Sequence, residues 1–305
     1  MFYVRWQRIF TGLIIFMGRL RSSKTNKLRA ISKPDRGPSF LHRLGRRCVG
    51  GIEYFGDLAL FTSSMLFWLF TKGSQKDTLI RCCYNIGVLS LPVVMLTGCF
   101  IGMVLAVQSY AQFKLVALET RLGAMINMSL VKELGPVLAA TMLAGRVGSS
   151  IAAELGTMRV TEQIDALASM GTNPVYYLVV PRFLACFFLI PGLTVMADLM
   201  GVFGGAFYGI KLLGIESHSY WLYSSRFVGH FDLFAGIIKS MSFGMIIAMI
   251  SCHQGFNCDP GAEGVGKAAT TSFVMSFVTI LFVDLVLGIF LEGIYQIFWT
   301  QTNII

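Results

Sequence analysis

The hydrophobic residues of this chain fall into long unbroken runs, not into the short alternating patterns of a water-soluble domain. A helix rises about 1.5 Å per residue, so about 20 apolar residues are needed to cross the hydrocarbon core of a bilayer. Five runs reach about that length or exceed it. They lie near residues 82–107, 134–153, 183–210, 233–251 and 271–298. The pattern predicts an all-α integral membrane protein with five transmembrane helices.

The residues before these runs follow a different pattern. Residues 40–70 mix charged side chains with an apolar end of only thirteen residues, which is too short to cross a bilayer. We expect this segment to be a helix that lies in the membrane interface, with Trp68 at headgroup depth. Residues 1–39 are rich in Lys and Arg. The predicted organisation is therefore a basic N-terminal leader followed by one membrane domain over residues 40–305.

Composition supports the membrane assignment, and the distribution of charge predicts the orientation of the chain in the membrane. The chain is 55% hydrophobic and 13% charged, whereas soluble domains carry about 25% charged residues. Residues 1–81 hold fifteen Lys and Arg against four Asp and Glu. A basic segment before apolar spans indicates a cytoplasmic N-terminus instead of a nucleic-acid-binding patch. With five spans, residues 156–181 and 253–270 are then cytosolic, and the tail after Trp299 lies on the opposite side.

The stretch GAEGVGKAAT, Gly261 to Thr270, reads G-x-x-x-x-G-K and resembles a phosphate-binding Walker A loop. The Ser or Thr that would hold magnesium is replaced by Ala268. The stretch also follows an apolar span instead of a buried strand. We expect a tight turn and a helix that starts near Val265, and no nucleotide-binding site.

The sequence predicts no metal, no cofactor and no catalytic residues. Seven cysteines form no CxxC pair. Cys252, His253 and Cys258 are close in sequence, but three ligands without a fourth favour a reduced cytosolic loop over a metal site. The four histidines are scattered, and no Ser/His/Asp or paired-carboxylate arrangement is present.

Three of the spans carry small residues at every fourth position, which lets a neighbouring helix approach closely. The neighbour is either another span of the same chain or a second copy of the protein, and the pattern leaves both open. The positions are Ala140, Ala144, Gly148, Ala152 and Gly156 in the second run, Gly201, Gly205 and Gly209 in the third, and Gly98 and Gly102 in the first.

Charged residues within or beside the apolar runs are candidate functional residues. The set is Arg146, Glu154, Asp198, Lys239 and Asp284. Each charge costs about 2.5–3.5 kcal/mol at the centre of a bilayer, so each should face protein or water. They either pair with one another, which the sequence slightly favours for Asp198 and Asp284, or line a polar route. In the second case the protein would be an ion- or proton-coupled secondary transporter or channel that uses Arg146, Asp198 and Asp284.

The segment between the second and third runs predicts a short amphipathic helix. From Thr161 to Met170, the apolar Ile164 and Leu167 lie on one face, and Gly171 and Pro174 end the helix. A short helix held outside the membrane fits a groove on a soluble partner, although an ordinary interfacial loop has the same pattern.

The chain resembles the MlaE/YrbE permease family. The resemblance is strongest in KELGPVLAATMLAGRVGSSIAAELGTMRVTEQIDALASMGTNPVYYLVVPRF, Lys132 to Phe183, and extends to GAEGVGKAATTSFVMS and to the span that holds Asp284. It covers about Phe40 to Trp299. The leader lies outside it.

The resemblance implies a non-catalytic permease subunit of a lipid-transporting ABC system. Its expected partners are a second copy of itself, a separate ABC ATPase that hydrolyses ATP, an MCE-domain substrate-binding protein, lipid, and an optional small STAS-type accessory subunit. The expected location is the cell inner membrane, with a chloroplast inner envelope as the alternative. The family's coupling helix, which would transmit the ATPase's motion to the spans, matches Arg159, Glu162, Gln163, Asp165 and Leu167. The lipid, the direction of transport, the residues that line the lipid cavity and the role of residues 1–39 stay open.

Overall fold

The computed structural model describes residues 40–72, 76–115 and 118–299. Residues up to Gly56 and residues from Asp57 onward form two separate compact units. In the first unit the described residues, 40–56, are helical. They belong to helix α1, Phe40–Lys72.

The described residues of the second unit contain five helices long and apolar enough to cross a membrane. Two short helices connect them: α2, Gln163–Ser169, and α3, Ser217–Phe227. The long helices are span 1, Lys76–Leu115; span 2, Leu122–Val160; span 3, Val175–Leu212; span 4, His230–Phe256; and span 5, Ala262–Ile297. The predicted fold class, five spans plus an N-terminal helix, is confirmed.

The spans are longer than the apolar runs that predict them. Span 2 begins at Leu122, twelve residues before the expected start at Leu134. A hydrophobicity pattern stops at Lys132 and Glu133 because each charge opposes insertion. In the structure the helix continues through both residues, since each forms an ion pair with a neighbouring span. Pairing lowers the cost that the pattern assigns to these charges.

Spans 1 and 3 meet along a glycine seam, which consists of Gly98 and Gly102 on span 1 and Ala197, Gly201 and Gly204 on span 3. A Cβ added to Gly102 would overlap the backbone carbonyl of Gly201, and one added to Gly98 would overlap that of Ala197. Backbone approach this close requires residues without side chains. The small residues of spans 1 and 3 therefore serve packing within one chain.

The small residues of span 2 also face the interior of this chain. All five, from Ala140 to Gly156, are buried. A Cβ on Gly148 would lie 2.9 Å from Ser251 Oγ of span 4, and one on Gly156 would lie 3.2 Å from Cys258 Sγ. Of the two partners that the sequence leaves open for these positions, the structure shows internal packing.

Spans 1 and 5 bury far fewer of their residues than spans 2, 3 and 4. Span 1 packs mainly against span 3, whereas span 5 packs against spans 2 and 4. Their remaining faces are wide and apolar. On span 5 the exposed face includes Val274, Phe282, Leu285, Ile289 and Phe290.

Candidate functional site

A buried lysine joins three spans. Lys239 of span 4 lies 2.7 Å from Glu133 of span 2 and 3.1 Å from Asp284 of span 5, measured from Nζ to carboxylate oxygen. The Lys239 side chain is only 1% exposed. An ammonium group this buried needs carboxylate partners, because removing a lone charge from water is costly. The three side chains therefore hold spans 2, 4 and 5 together.

A second ion pair lies one residue away from Glu133 in sequence and joins span 2 directly to span 5. Lys132 Nζ of span 2 is 2.8 Å from Glu292 Oε2 of span 5. We call these five residues, Glu133, Lys239, Asp284, Lys132 and Glu292, the charged cluster. The carboxylates of Glu133 and Glu292 are each 46% exposed. Because half-exposed carboxylates need water or polar groups beside them, we expect one side of the cluster to face water or polar groups and not lipid tails.

Span 2 departs from regular α-helix at three of its charged residues. Lys132 and Glu133 lie in a π-helical segment, Leu130–Leu134, and Arg146 lies in a second one, Ala144–Gly148. Single π turns inside α-helices are frequent at functional sites because they redirect side chains. The local backbone thus helps to direct Glu133 toward Lys239.

The structure brings only some of the candidate charged residues together. Lys239 and Asp284 meet in the charged cluster. Among the described residues, Arg146 is exposed and forms no ion pair, and one buried oxygen of Asp198 has no hydrogen-bond partner. The pairing that the sequence slightly favours for Asp198 is therefore absent from the described part of the chain. No ion pair there joins any two of Arg146, Asp198 and Asp284, the three residues required by the secondary-transporter alternative.

Glu154 has a partner that the sequence analysis does not identify. Its carboxylate lies 2.8 Å from the guanidinium of Arg182, which is 7% exposed. Arg182 also donates a 2.8 Å hydrogen bond to the carbonyl of Leu178. The pair connects the last part of span 2 to the first part of span 3, on either side of α2. The sequence analysis also does not identify Lys132, Glu133 and Arg182, because they lie at the ends of the apolar runs. For Glu133 the available signal is Lys239, since a lysine inside an apolar run needs a carboxylate partner.

The loop between spans 2 and 3 folds tightly around α2. The sequence predicts a helix from Thr161 to Met170, and the observed α-helix is shorter, Gln163–Ser169. It is held by an ion pair of 2.6 Å between Arg159 Nη1 and Asp165 Oδ1. Gly171 has a φ of 77° and ends the helix in the left-handed region. Arg159 and Asp165 thus fix α2 against the end of span 2.

Glu162 has the one positive φ of a non-glycine residue among the described residues, at 60°. The left-handed conformation is disfavoured for a residue with a Cβ, by about 1–3 kcal/mol, and such residues cluster at functional sites. Glu162 forms the sharp corner between span 2 and α2, and its side chain is exposed. The geometry thus places an exposed carboxylate at this corner.

The five residues that match the coupling helix divide into two groups. Glu162, Gln163 and Asp165 are exposed, and Arg159 is partly exposed. Leu167 is half-buried and packs, with buried Ile164, against the hydrophobic core. The surface available to a partner is therefore formed by the polar residues, while Leu167 seats the helix on its own chain.

The Walker-like stretch is the start of span 5, which begins at Ala262, three residues earlier than the expected Val265. Lys267 lies 3.4 Å from Asp259, on the exposed surface. Cys252 is fully buried in span 4 and His253 contacts Phe61 edge-on. Within the described residues no group of three His, Cys, Asp or Glu side chains could hold a metal ion.

Comparison with known proteins agrees with this architecture. The family model of the permease MlaE matches residues 79–290. A probable ABC transporter permease of Rickettsia felis is 40% identical over 238 residues, which cover 78% of this chain and 92% of the relative. A probable ABC transporter permease of Synechocystis is 41% identical over 224 residues, 73% of this chain and 85% of the relative.

A third relative has a more specific name. The intermembrane phospholipid transport system permease protein MlaE of Haemophilus influenzae is 35% identical over 256 residues, which cover 84% of this chain and 98% of the relative. The family model spans well over half of the chain. It includes α2 and all of the charged cluster except Glu292. The chain belongs to the MlaE permease family.

Proposed function

We propose that this chain is the permease subunit of an ABC transporter that moves phospholipid, or a related lipid, between the inner membrane and an MCE-domain shuttle protein. ATP is hydrolysed by a separate ABC ATPase subunit, and the permease works as a homodimer, with an optional STAS-type accessory subunit. The Haemophilus relative, which is named for intermembrane phospholipid transport, supports the substrate class. The observation that carries the proposal is the position of buried Lys239 between carboxylates on two different spans.

The charged cluster is suited to a change between two arrangements of the spans. Lys239 has one carboxylate partner on span 2 and another on span 5. If span 5 moves relative to span 2, the ammonium group keeps one partner while it loses the other, so the charge is never left alone. Interfaces with two discrete pairings are the usual means by which a small motion at one site is amplified at another. We infer that the charged cluster controls the movement of span 5 relative to span 2.

The exposed parts of the molecule support a dimer around a lipid route. The half-exposed carboxylates of Glu133 and Glu292 indicate a polar environment beside span 5. The same span presents a wide apolar face. A cavity between two copies, with apolar walls for acyl chains and a polar rim for headgroups, accommodates both features.

The cytosolic side supports a separate motor. The exposed polar residues of α2 lie between spans 2 and 3, and the Arg159–Asp165 ion pair joins α2 to the end of span 2. A force applied to α2 passes directly into both spans, and the Glu154–Arg182 pair ties those spans together beside it. We assign α2 as the contact with the ATPase. The complex lies in the cell inner membrane; a chloroplast inner envelope would require the same topology.

The test is lipid transfer in liposomes that contain the permease, its ATPase and its shuttle protein. Fluorescent phospholipid should move only with ATP. Lys239→Met should lower the rate between about 5- and 150-fold, the usual range of coupling between sites. The control is Lys267→Met, which removes an exposed lysine whose ion pair is open to solvent on both sides.

Two further results separate this function from its rival. The triple variant Lys239→Met, Glu133→Gln, Asp284→Asn has no unpaired charge at the cluster, so it should fold and still transport slowly. Transport driven by an ion gradient without the ATPase would establish the secondary transporter instead. A Lys239→Met rate equal to that of the control would remove the charged cluster from the mechanism.

A further inference from the structure

Arg146 is the one charged residue in the apolar run 134–153 of span 2. Its side chain is exposed, whereas Ala144, Val147 and Gly148 beside it are buried. The guanidinium forms no ion pair or hydrogen bond with any residue that the structure describes. A cation at this depth in a bilayer is costly unless water or an anion lies beside it. The position therefore favours an anion from outside the described chain.

The carboxylates of span 2 lie at other depths than Arg146. A helix rises about 1.5 Å per residue, so Glu154 is about 12 Å from Arg146 toward the cytosol and Glu133 is about 20 Å away in the other direction. Each of them already has a cationic partner, Arg182 and Lys239 respectively. Neither carboxylate is available to Arg146.

Span 5 passes Arg146 at Phe273. The ring of Phe273 lies 3.4 Å from the point where a Cβ of Gly145 would stand, and Gly145 directly precedes Arg146. Along span 5 the carboxylates on either side of Phe273 are Glu263 and Asp284, each about 15 Å away or more. In a dimer whose two-fold axis runs along the membrane normal, each residue lies at the same depth in both copies. Spans 2 and 5 of a second copy therefore also bring no carboxylate to the depth of Arg146.

Ser150 provides a second donor beside Arg146. It lies one turn further along span 2 on the same face, since residues four apart are neighbours on a helix. Ser150 is exposed, and its hydroxyl forms no hydrogen bond with the described residues. The preceding Ser149 differs, because its hydroxyl donates to the carbonyl of Gly145. A guanidinium and a hydroxyl are donors that phosphate oxygens accept from, and arginine binds phosphate through two parallel hydrogen bonds.

An apolar surface for acyl chains begins next to these donors. Phe273 and Phe277 of span 5 are both exposed, and their ring centroids are 6.1 Å apart. Val274 and Val278 extend the same exposed surface. A molecule with an anionic group at Arg146 and hydrocarbon chains along span 5 contacts both surfaces at once. Among the anions of a bilayer, the phosphate of a phospholipid has this combination.

We propose that Arg146 and Ser150 bind the phosphate group of a phospholipid whose acyl chains pack against Phe273 and Phe277 of span 5. The guanidinium compensates the phosphate charge inside the apolar run, and the phosphate in turn compensates the exposed cation. Lipids with the same chains and no phosphate leave Arg146 without an anion and bind less well. The site rests on the proposed function, because it names the residues that hold the headgroup of the transported lipid.

The test is lipid binding to the full-length permease in detergent, without the ATPase, measured by native mass spectrometry. The probes are dioleoyl phosphatidylglycerol and dioleoylglycerol, which share their acyl chains and differ in the phosphate-bearing headgroup. The phospholipid should bind at least about tenfold more tightly, since a hydrogen bond to a charged group is worth about that factor. An excess of inorganic phosphate should not displace it, because inorganic phosphate has no acyl chains to pack on span 5.

Matched variants decide whether Arg146 is responsible. Arg146→Gln should reduce the preference for the phospholipid to less than about twofold, while dioleoylglycerol binds as before. Arg146→Lys keeps the charge but loses the pair of parallel donors, so it should keep part of the preference. Ser150→Ala should weaken phospholipid binding about threefold. The control is Arg226→Gln on α3, an exposed arginine without an ion pair in the described part of the chain, and it should change neither affinity.

An unchanged preference in Arg146→Gln, or displacement of the phospholipid by inorganic phosphate, would overturn the proposal. So would an Arg146→Gln protein that becomes monomeric while each chain keeps its phospholipid, since Arg146 would then contact a second copy. If Arg146→Gln does not fold, full preference in both Arg146→Lys and Ser150→Ala would overturn it instead. ATP-driven transfer is measured separately: phospholipid binding without such transfer would refute the proposed function and leave this site in place.

Discussion

Arg182 and Glu154 form an ion pair of 2.8 Å in which the two partners differ sharply in burial. The Arg182 side chain is 7% exposed and the Glu154 side chain is 57% exposed. Each partner therefore depends on the other to a different extent. Glu154 reaches solvent, whereas the one other partner of Arg182 among the described residues is the carbonyl of Leu178.

This asymmetry predicts unequal effects of two neutral substitutions. Glu154→Gln removes the negative charge beside a buried guanidinium, which keeps only neutral hydrogen-bond acceptors, and should lower the free energy of unfolding by about 1–3 kcal/mol. Arg182→Met keeps most of the apolar stem and leaves an exposed carboxylate, so its cost should be smaller. Thermal unfolding of both variants in the same detergent measures the difference. An equal or larger loss in Arg182→Met would contradict it.

The glycine seam predicts a position that tolerates no methyl group. Gly102→Ala would place its Cβ on the carbonyl of Gly201, and neither backbone can retreat without moving a span. We expect a loss of at least about 3 kcal/mol of unfolding free energy, or no folded protein. Gly192→Ala is the control, because a Cβ there has nothing within 4 Å. In the control, the higher helix propensity of Ala should leave stability equal or raised by about 0.5–1 kcal/mol.

Glu162 allows backbone strain and charge to be tested separately. Glu162→Gly removes a left-handed Cβ, so it should raise the midpoint temperature of unfolding while it removes the carboxylate. Glu162→Lys keeps the strain and reverses the charge, and it should leave the permease folded while its recovery with the ATPase in a pull-down falls sharply. Glu216→Lys, in the loop before α3, is the matched charge reversal and should have no effect. Normal transport by Glu162→Lys with its ATPase bound would show that α2 does not couple the two subunits.

Cys258 reports both topology and its own environment. Partial burial and, to a lesser extent, the carboxylate of Asp259 raise the pKa of the Cys258 thiol. The thiolate is the reactive form, so a raised pKa leaves less of it at neutral pH, and maleimide labelling should accelerate as pH rises toward 9 and above. In a background without other cysteines, Asp259→Asn should speed labelling at pH 8. A rate that does not change with Asp259→Asn would exclude the electrostatic contribution.

The sidedness of the same reaction checks whether span 4 crosses the membrane. A membrane-impermeant maleimide should reach Cys258 from the cytosolic side. A cysteine placed at Ser217, which is exposed at the start of α3, should react from the opposite side only. Labelling of both from one side would mean that span 4, which separates the two sites, does not cross the membrane as predicted.

The number and kind of helices could be predicted because length and hydrophobicity decide whether a segment crosses a bilayer. The ends of span 2 could not, because Lys132 and Glu133 look unfavourable until their partners on other spans are known. The partners are 106 residues or more away in sequence. Such pairs depend on the packing order of the helices, which no local pattern contains.

The candidate site was predictable in part for the same reason. Lys239 and Asp284 stand out in apolar runs, and the structure joins them. Asp198 stands out equally, yet it lies in a cavity wall without a charged partner. The exposed polar face of α2 follows from its sequence, whereas the left-handed corner at Glu162 does not, because the residue that usually adopts that conformation is glycine.

The glycine seam has a mechanical consequence. Two helices in backbone contact cannot slide or roll past each other without separating, since no flexible side chain lies between them to absorb the shift. Spans 1 and 3 should therefore move together as one rigid body during any transport cycle. Span 5 is joined to its neighbours through long charged side chains whose pairs can stretch or exchange. The contacts that change during such a motion are then the ion pairs of span 5, and the contacts that stay fixed are those of the glycine seam.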